Sequence, residues 1–229
     1  MKNCLSTARR FVDIVADLRF ENAFNPYSEI CPQYDRPDAS VIRRENLVRV
    51  LEAALFNGVS TIWVARDLGY RGGRRTGLAL TDEAHLDAHA NLFRTCSLQR
   101  STNGPVVAER TAKIVWSMLG LIGQPVFLWN VFPLHPHEAG LPMSNRCHTR
   151  AERVACRHIM LTLIEMLSPR AVLTIGRDAE AALQDLGIAA HCVRHPSYGG
   201  QNEFIEGVKQ HYGLTQASTD MENLPLFAH

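Results

Sequence analysis

Four short apolar runs, at residues 60–64, 125–131, 171–175 and 190–193, constrain this chain more than anything else in it. Each is too short for a buried helix, is rich in β-branched, aromatic or aliphatic residues, and reads as a strand. Strands that are apolar along their whole length, rather than alternating, are covered on both faces. Helical patterns separate the runs, and such alternation argues for parallel strands between helical layers. The expected fold is α/β, a three-layer α/β/α sandwich with a central, mainly parallel four-stranded sheet. At 229 residues the chain suits one domain, residues 1–229, because single cores grow comfortably to this size.

The helices announce themselves by period and by punctuation. Residues 7–18 carry Phe11, Ile14, Val15 and Leu18 on one stripe, and Phe24-Asn25-Pro26-Tyr27 stops that helix. A proline-bearing loop then leads into residues 41–55, where Leu47, Val50, Leu51, Ala54 and Leu55 recur at helical spacing before Gly58. Residues 149–167 read as one long amphipathic helix, with Thr149 as N-cap and Glu152 completing a capping box. Asn202 is the expected cap of a last helix ending near Tyr212, and the tail at 215–229 is expected to be loosely held. Trp63, Trp129 and Trp116 lie in apolar patterns and belong to the core.

A formal net charge of +1 excludes a globally basic nucleic-acid coat, yet Arg66, Arg71, Arg74 and Arg75 cluster locally and supply a field for phosphates. The six cysteines form no Cys-x-x-Cys pair and no signal peptide is visible, so the expectation is reduced thiols in a cytoplasmic protein. No apolar stretch approaches the roughly 20 residues that cross a bilayer, so no membrane association is expected.

In open α/β sheets the residues just past the carboxyl ends of the strands converge on the ligand crevice. Asp67 follows the first run, Asn130 ends the second, and His195-Pro196-Ser197 follows the fourth. Taken singly, each has an ordinary reading: Asp67 as a cap or turn residue, Asn130 as a partner for strand-end backbone, His-Pro-Ser as a turn. Together and in this order they resemble the uracil-DNA glycosylase superfamily. Ala65-Arg66-Asp67-Leu68-Gly69 stands where well-known members have Gly-Gln-Asp-Pro-Tyr, and Gly69 with Thr76-Gly77 echoes a Pro-Gly and Thr-Gly variant of that motif. Asn130 falls on the family's uracil-reading asparagine, and His195-Pro196-Ser197 matches a family motif letter for letter. The resemblance spans residues 25–204, with Asn25-Pro26 echoing an element that lines the base pocket in some branches.

The resemblance implies a monofunctional glycosylase that hydrolyses the N-glycosidic bond of uracil in DNA and leaves an abasic site. Asp67 would position or deprotonate water and His195 would stabilise charge on the departing base, making these the expected catalytic pair. Asn130 would read uracil, since an amide donates to a carbonyl and accepts from N–H at once. Leu80 lies where an aromatic stacks on the flipped base, and Tyr27, Tyr70 or Phe132 are the alternatives for that role. Gly69 stands where one branch has a methyl-excluding tyrosine. The DNA contacts implied are Arg71, Arg74, Arg75 and Ser197 on phosphates, and Tyr198-Gly199-Gly200-Gln201 as the loop that enters the duplex. Partners are then single- or double-stranded DNA containing uracil and the abasic product, with the protein a monomer. No cofactor or metal is expected: the cysteine spacing does not match an iron-sulfur branch, and no lysine accompanies the motifs to form a Schiff base. Two rivals stay open. One is a relative that grips damaged or abasic DNA with weak hydrolysis. The other is a metal-dependent nucleotide-handling enzyme built on Asp67, His135, His137 and Glu138.

Overall fold

A computed structural model of the chain describes residues 2–95 and 97–214. The expectation for the tail at 215–229 lies outside the described residues. The strands that build the main sheet are β2 (Thr61–Asp67), β3 (Val126–Phe132), β5 (Ala171–Ile175) and β6 (His191–Val193), in the order β3-β2-β5-β6. All three pairings are parallel, with Ala65 opposite Asn130 and Asp67 opposite Phe132 across the central pair. The architecture is the expected one, and every strand of this sheet ends its run at the same edge.

Alternation along the strands sorts the side chains into two layers. Ile62, Val64, Phe127, Trp129 and Val172 face one cluster, covered by α1 (Lys2–Ala16), α2 (Ala39–Asn57), α4 (Leu86–Phe93), α7 (Arg157–Leu167) and α8 (Arg177–Gln184). Trp63, Ala65, Leu128, Leu173 and Val193 face the other, covered by α5 (Arg110–Ile122) and α9 (Gln201–Tyr212). All three tryptophans are buried, and Trp63 donates its indole N–H to the Tyr212 hydroxyl at 2.9 Å.

The structure departs from the sequence reading in three places. The long helix expected at 149–167 is two, α6 (Arg150–Ala155) and α7, with the backbone turning at Cys156. Its start is as expected, because the Thr149 hydroxyl and the Glu152 carboxylate cap each other's backbone N–H. The last helix begins at Gln201 with Gly200, rather than Asn202, in the cap position. The chain must turn inward that early because Gly200 packs on its own loop: a Cβ there would stand 2.2 Å from the His195 carbonyl oxygen. Finally, a two-stranded antiparallel pair, β1 (Ala23–Phe24) with β4 (His135–Pro136), and the single turn of α3 (Gly73–Thr76) were not read from the sequence.

Candidate active site

At the carboxyl edge of the sheet lies a cleft of about 750 Å³, walled by residues that follow β2, β5 and β6 and by the start of α5. Its lining includes Asp67, Leu80, Glu109, Thr111, Arg177, Arg194, His195, Ser197 and Tyr198. Asp67 and His195, far apart in sequence, therefore share one cavity because parallel strands deliver their following residues to one edge.

Asp67 is the last residue of β2, and both of its oxygens are engaged. One accepts from Arg66 Nε at 2.7 Å, and the other meets His148 Nδ1 at 2.5 Å. Arg66 also donates to Asp178 at 2.6 Å and so ties β2 to α8. Burial pulls the Arg66 pKa down, but its bonds to Asp178 and Asp67 outweigh this and the net shift is upward. Arg66 thus stays a fixed cation beside the carboxylate. The Asp67 and His148 side chains are only 8% and 6% exposed, so the pair is held in a largely dry setting where charge acts strongly.

His195 is half-buried in the lining of the same cavity. The Ser197 backbone N–H donates to its Nδ1 at 3.1 Å, so Nδ1 is an acceptor and the neutral ring carries its proton on Nε2. Burial, then the charges of Arg66 and Arg194, lower the His195 pKa, with Asp178 pulling the other way. The arrangement offers a neutral imidazole whose single N–H donor is Nε2.

Asn130 lies on the face of β3 shared with Val126 and Leu128, one strand over from Ala65, which does line the cavity. It is buried, and neither its Oδ1 nor its Nδ2 has a hydrogen-bond partner. A buried amide with both ends unpaired costs on the order of 1–3 kcal/mol per group and demands an explanation.

Several expected site residues sit elsewhere. Arg74 and Arg75 are buried and so cannot reach DNA phosphates. Arg74 donates to the Tyr34 hydroxyl at 2.8 Å and to His135 Nδ1 at 2.9 Å, while Arg75 pairs with Glu83 at 3.0 Å. Of the three arginines expected on phosphates, Arg71 is the exposed one. Phe132 is fully buried, edge-on to Phe20 at 5.3 Å and against His148 at 5.8 Å. Tyr27 is buried too, its hydroxyl donating to the Gly77 carbonyl at 2.8 Å. Tyr70 is half-buried and does not itself line the cavity, though its backbone N–H donates to Asn145, which does. Leu80 is the stacking candidate that does line the cavity. Asn25 closes the end of α1 rather than a pocket, its amide donating to the carbonyls of Val15, Ala16 and Leu18.

Tyr198 is fully exposed and sits in the left-handed region at φ 54°, with Gly199 beyond it at φ 79°. Ser197 stays half-buried, its hydroxyl 3.2 Å from that of Thr111. Gly200 is buried and Gln201 opens α9.

The metal reading fails on donors. His135 Nδ1 accepts from Arg74 and its Nε2 donates to the Ser144 carbonyl at 2.8 Å, which leaves no nitrogen free. Burial and the nearby Arg74 charge push its pKa down to about 3. Among the described residues no three His, Cys, Asp or Glu side chains come together to hold an ion.

His148, Glu109, Arg177 and Arg194 were missed by sequence reasoning. His148 reaches Asp67 across 81 positions, and only its place just before the Thr149 cap gave a local signal.

The chain is thus a parallel α/β/α domain with a carboxylate and a neutral imidazole in one strand-end cleft. The sequence profile of the uracil DNA glycosylase superfamily matches residues 70–212, and the chain belongs to that superfamily of DNA glycosylases. The crystal structure of wild-type SMUG2 from Pedobacter heparinus superposes with a TM-score of 0.58 at 13% identity, covering 92% of this chain and 96% of that one. No curated protein sequence matches the chain.

Proposed function

We propose that the protein is a monofunctional uracil-DNA glycosylase. The observation that carries this reading is the shared cleft of Asp67 and His195, with the His195 ring set by Ser197 to present Nε2–H. Water adds to C1′ of the deoxyribose as the C1′–N1 bond breaks. The bonding pair leaves with the base as an anion delocalised onto O2. Nε2–H of His195 stabilises that anion without giving up its proton, and Asp67 favours the cationic sugar and takes a proton from the water. Asn130 reads N3–H and O4, which accounts for its unpaired amide. Leu80 supplies the apolar face of the base pocket.

Other features fit the same reading. The exposed Arg71, Arg177 and Arg194 suit phosphates, with Ser197 beside them. Tyr198, Gly199, Gly200 and Gln201 form the loop that fills the gap left by a flipped nucleotide. Among the described residues no lysine lines the cleft, a lining suited to hydrolysis without a Schiff base. We take the protein to act as a monomer, in the cytoplasm, on single- or double-stranded DNA.

The test is incubation with oligonucleotides carrying uracil in single and double strands, with chelator present, followed by alkaline cleavage of abasic sites. Uracil-dependent breaks are expected, abolished by His195→Ala. Asp67→Asn should slow single-turnover hydrolysis by about 10²–10⁴-fold while leaving DNA binding nearly intact. Asn130→Asp should weaken uracil preference. Full activity in both variants would sink the site assignment.

A further inference from the structure

Glu109 is a carboxylate in the cleft wall with no assigned task. It immediately precedes α5, where its backbone N–H donates to Asp82 at 2.6 Å, and that bond fixes where the side chain starts. The carboxylate lies over the turn that follows Asp67. A Cβ on Gly72 would stand 2.4 Å from its Oε2, and one on Gly69 would stand 3.5 Å from its Oε1. Bare glycine at position 72 leaves the space that the carboxylate fills, and Gly69 lies in ordinary contact with it. Among the described residues, none donates a hydrogen bond to this carboxylate or forms an ion pair with it. Burial first, and the neighbouring Asp82 second, raise its pKa, while Arg71 acts in the opposite direction. A carboxyl group held in a cavity wall with its acceptors unspent is arranged to meet a ligand.

In the pose that the glycosylase reading requires, N1 is bonded to the sugar, O2 faces His195, and N3–H with O4 face Asn130. The C5–C6 edge is the one left over, and the stretch of cleft wall at Gly69 and Glu109 has no base edge assigned to it. We propose that Glu109 is the specificity-determining residue of this cleft, facing the C5 edge of the flipped pyrimidine and rejecting a C5 methyl. The inference rests on the glycosylase reading. Uracil presents a C5–H and leaves room to solvate the carboxylate. Thymine would press a methyl against it, stripping solvent from a polar group and returning no hydrogen bond. One methyl in a pocket discriminates by about 10–200-fold.

The experiment measures single-turnover excision from single-stranded oligonucleotides carrying uracil or thymine, where no duplex must be opened. With wild type, uracil should be released at least about a hundredfold faster than thymine. Glu109→Ala is expected to raise the thymine-to-uracil rate ratio by about tenfold or more. Glu109→Gln keeps the volume but costs less to desolvate, so a smaller rise of about threefold is expected, and it provides the readout if the alanine variant fails to fold. A ratio unchanged within about twofold in the folded variants, or equal loss on both bases, would overturn the assignment while leaving the glycosylase reading standing. Wild type that releases neither base would overturn the glycosylase reading, and the role of Glu109 with it.

Discussion

Asp67 owes its geometry to two neighbours of different kinds. Arg66 is adjacent in sequence and permanently charged. His148 comes from the loop before α6 and is pinned by Phe132 behind it. His148 does not line the cleft, so its effect on chemistry runs through Asp67. Removing it frees one carboxylate oxygen to rotate, and a misplacement of about 1 Å costs around a hundredfold in a positioned site. His148→Ala should therefore lower the single-turnover rate ten- to a hundredfold with DNA affinity nearly constant. His148→Asn, whose amide N–H can stand in for Nδ1–H, should recover most of that loss. A rate within twofold of wild type for the alanine variant would remove His148 from the machinery. At this scale legibility followed locality. Asp67 and His195 carry recognisable neighbours in sequence, whereas His148 and Glu109 do not. Arg74 and Arg75 misled because an arginine cluster reads as surface. Their partners Glu83, Tyr34 and His135, which draw them inside, lie 8, 40 and 61 positions away.

The strands β2, β3 and β5 were legible as elements because burial on both faces leaves a nearly unbroken apolar run, and the capping box of α6 was legible because its two partners are three residues apart. The break at Cys156 was not, since no glycine or proline marks it in the sequence. The pair β1 with β4 was hidden for a different reason: two-residue strands carry no period. Tyr198 is fully exposed in a left-handed conformation that costs a side-chain-bearing residue about 1–2 kcal/mol, and nothing in the fold is gained in return. On the proposed glycosylase reading, a wedge that enters a duplex would account for both exposure and strain. Tyr198→Gly should leave stability unchanged or raise it by up to about 1 kcal/mol. Excision from double strands should fall about tenfold, while excision from single strands stays within about threefold, because flipping out of a duplex alone needs the wedge. Equal loss on both strand states would place Tyr198 in the base pocket instead.

On the scale of the whole molecule, two buried neutral histidines outside the cleft wall set how the fold responds to acid. His89 is 2% exposed against Trp116 and Phe93, and burial lowers its pKa from 6.5 to about 3. His135 is fully buried beneath β1, and burial together with Arg74 lowers its pKa to about 3. Above pH 6.5 both are neutral in the folded and the unfolded chain, and their contribution to stability is fully present. As pH falls below 6.5 the unfolded chain takes up protons that the native state refuses, so stability drops, and it keeps dropping until the native groups titrate near pH 3. Each site contributes a slope of about 1.4 kcal/mol per pH unit, which amounts to roughly 2 kcal/mol per histidine by pH 5, or roughly 4 kcal/mol for both. Against a net stability on the order of 5–15 kcal/mol that is a large share. Urea denaturation between pH 7.5 and 5 should show the midpoint falling steeply. His89→Leu replaces one of the two groups with an apolar side chain of fitting size, and it should reduce the acid-induced loss by about half while leaving excision at pH 7.5 near the wild-type rate. A pH dependence identical to wild type in that variant would mean that His89 takes up a proton as readily in the native state as in the unfolded chain, and that the acid response of the fold lies elsewhere.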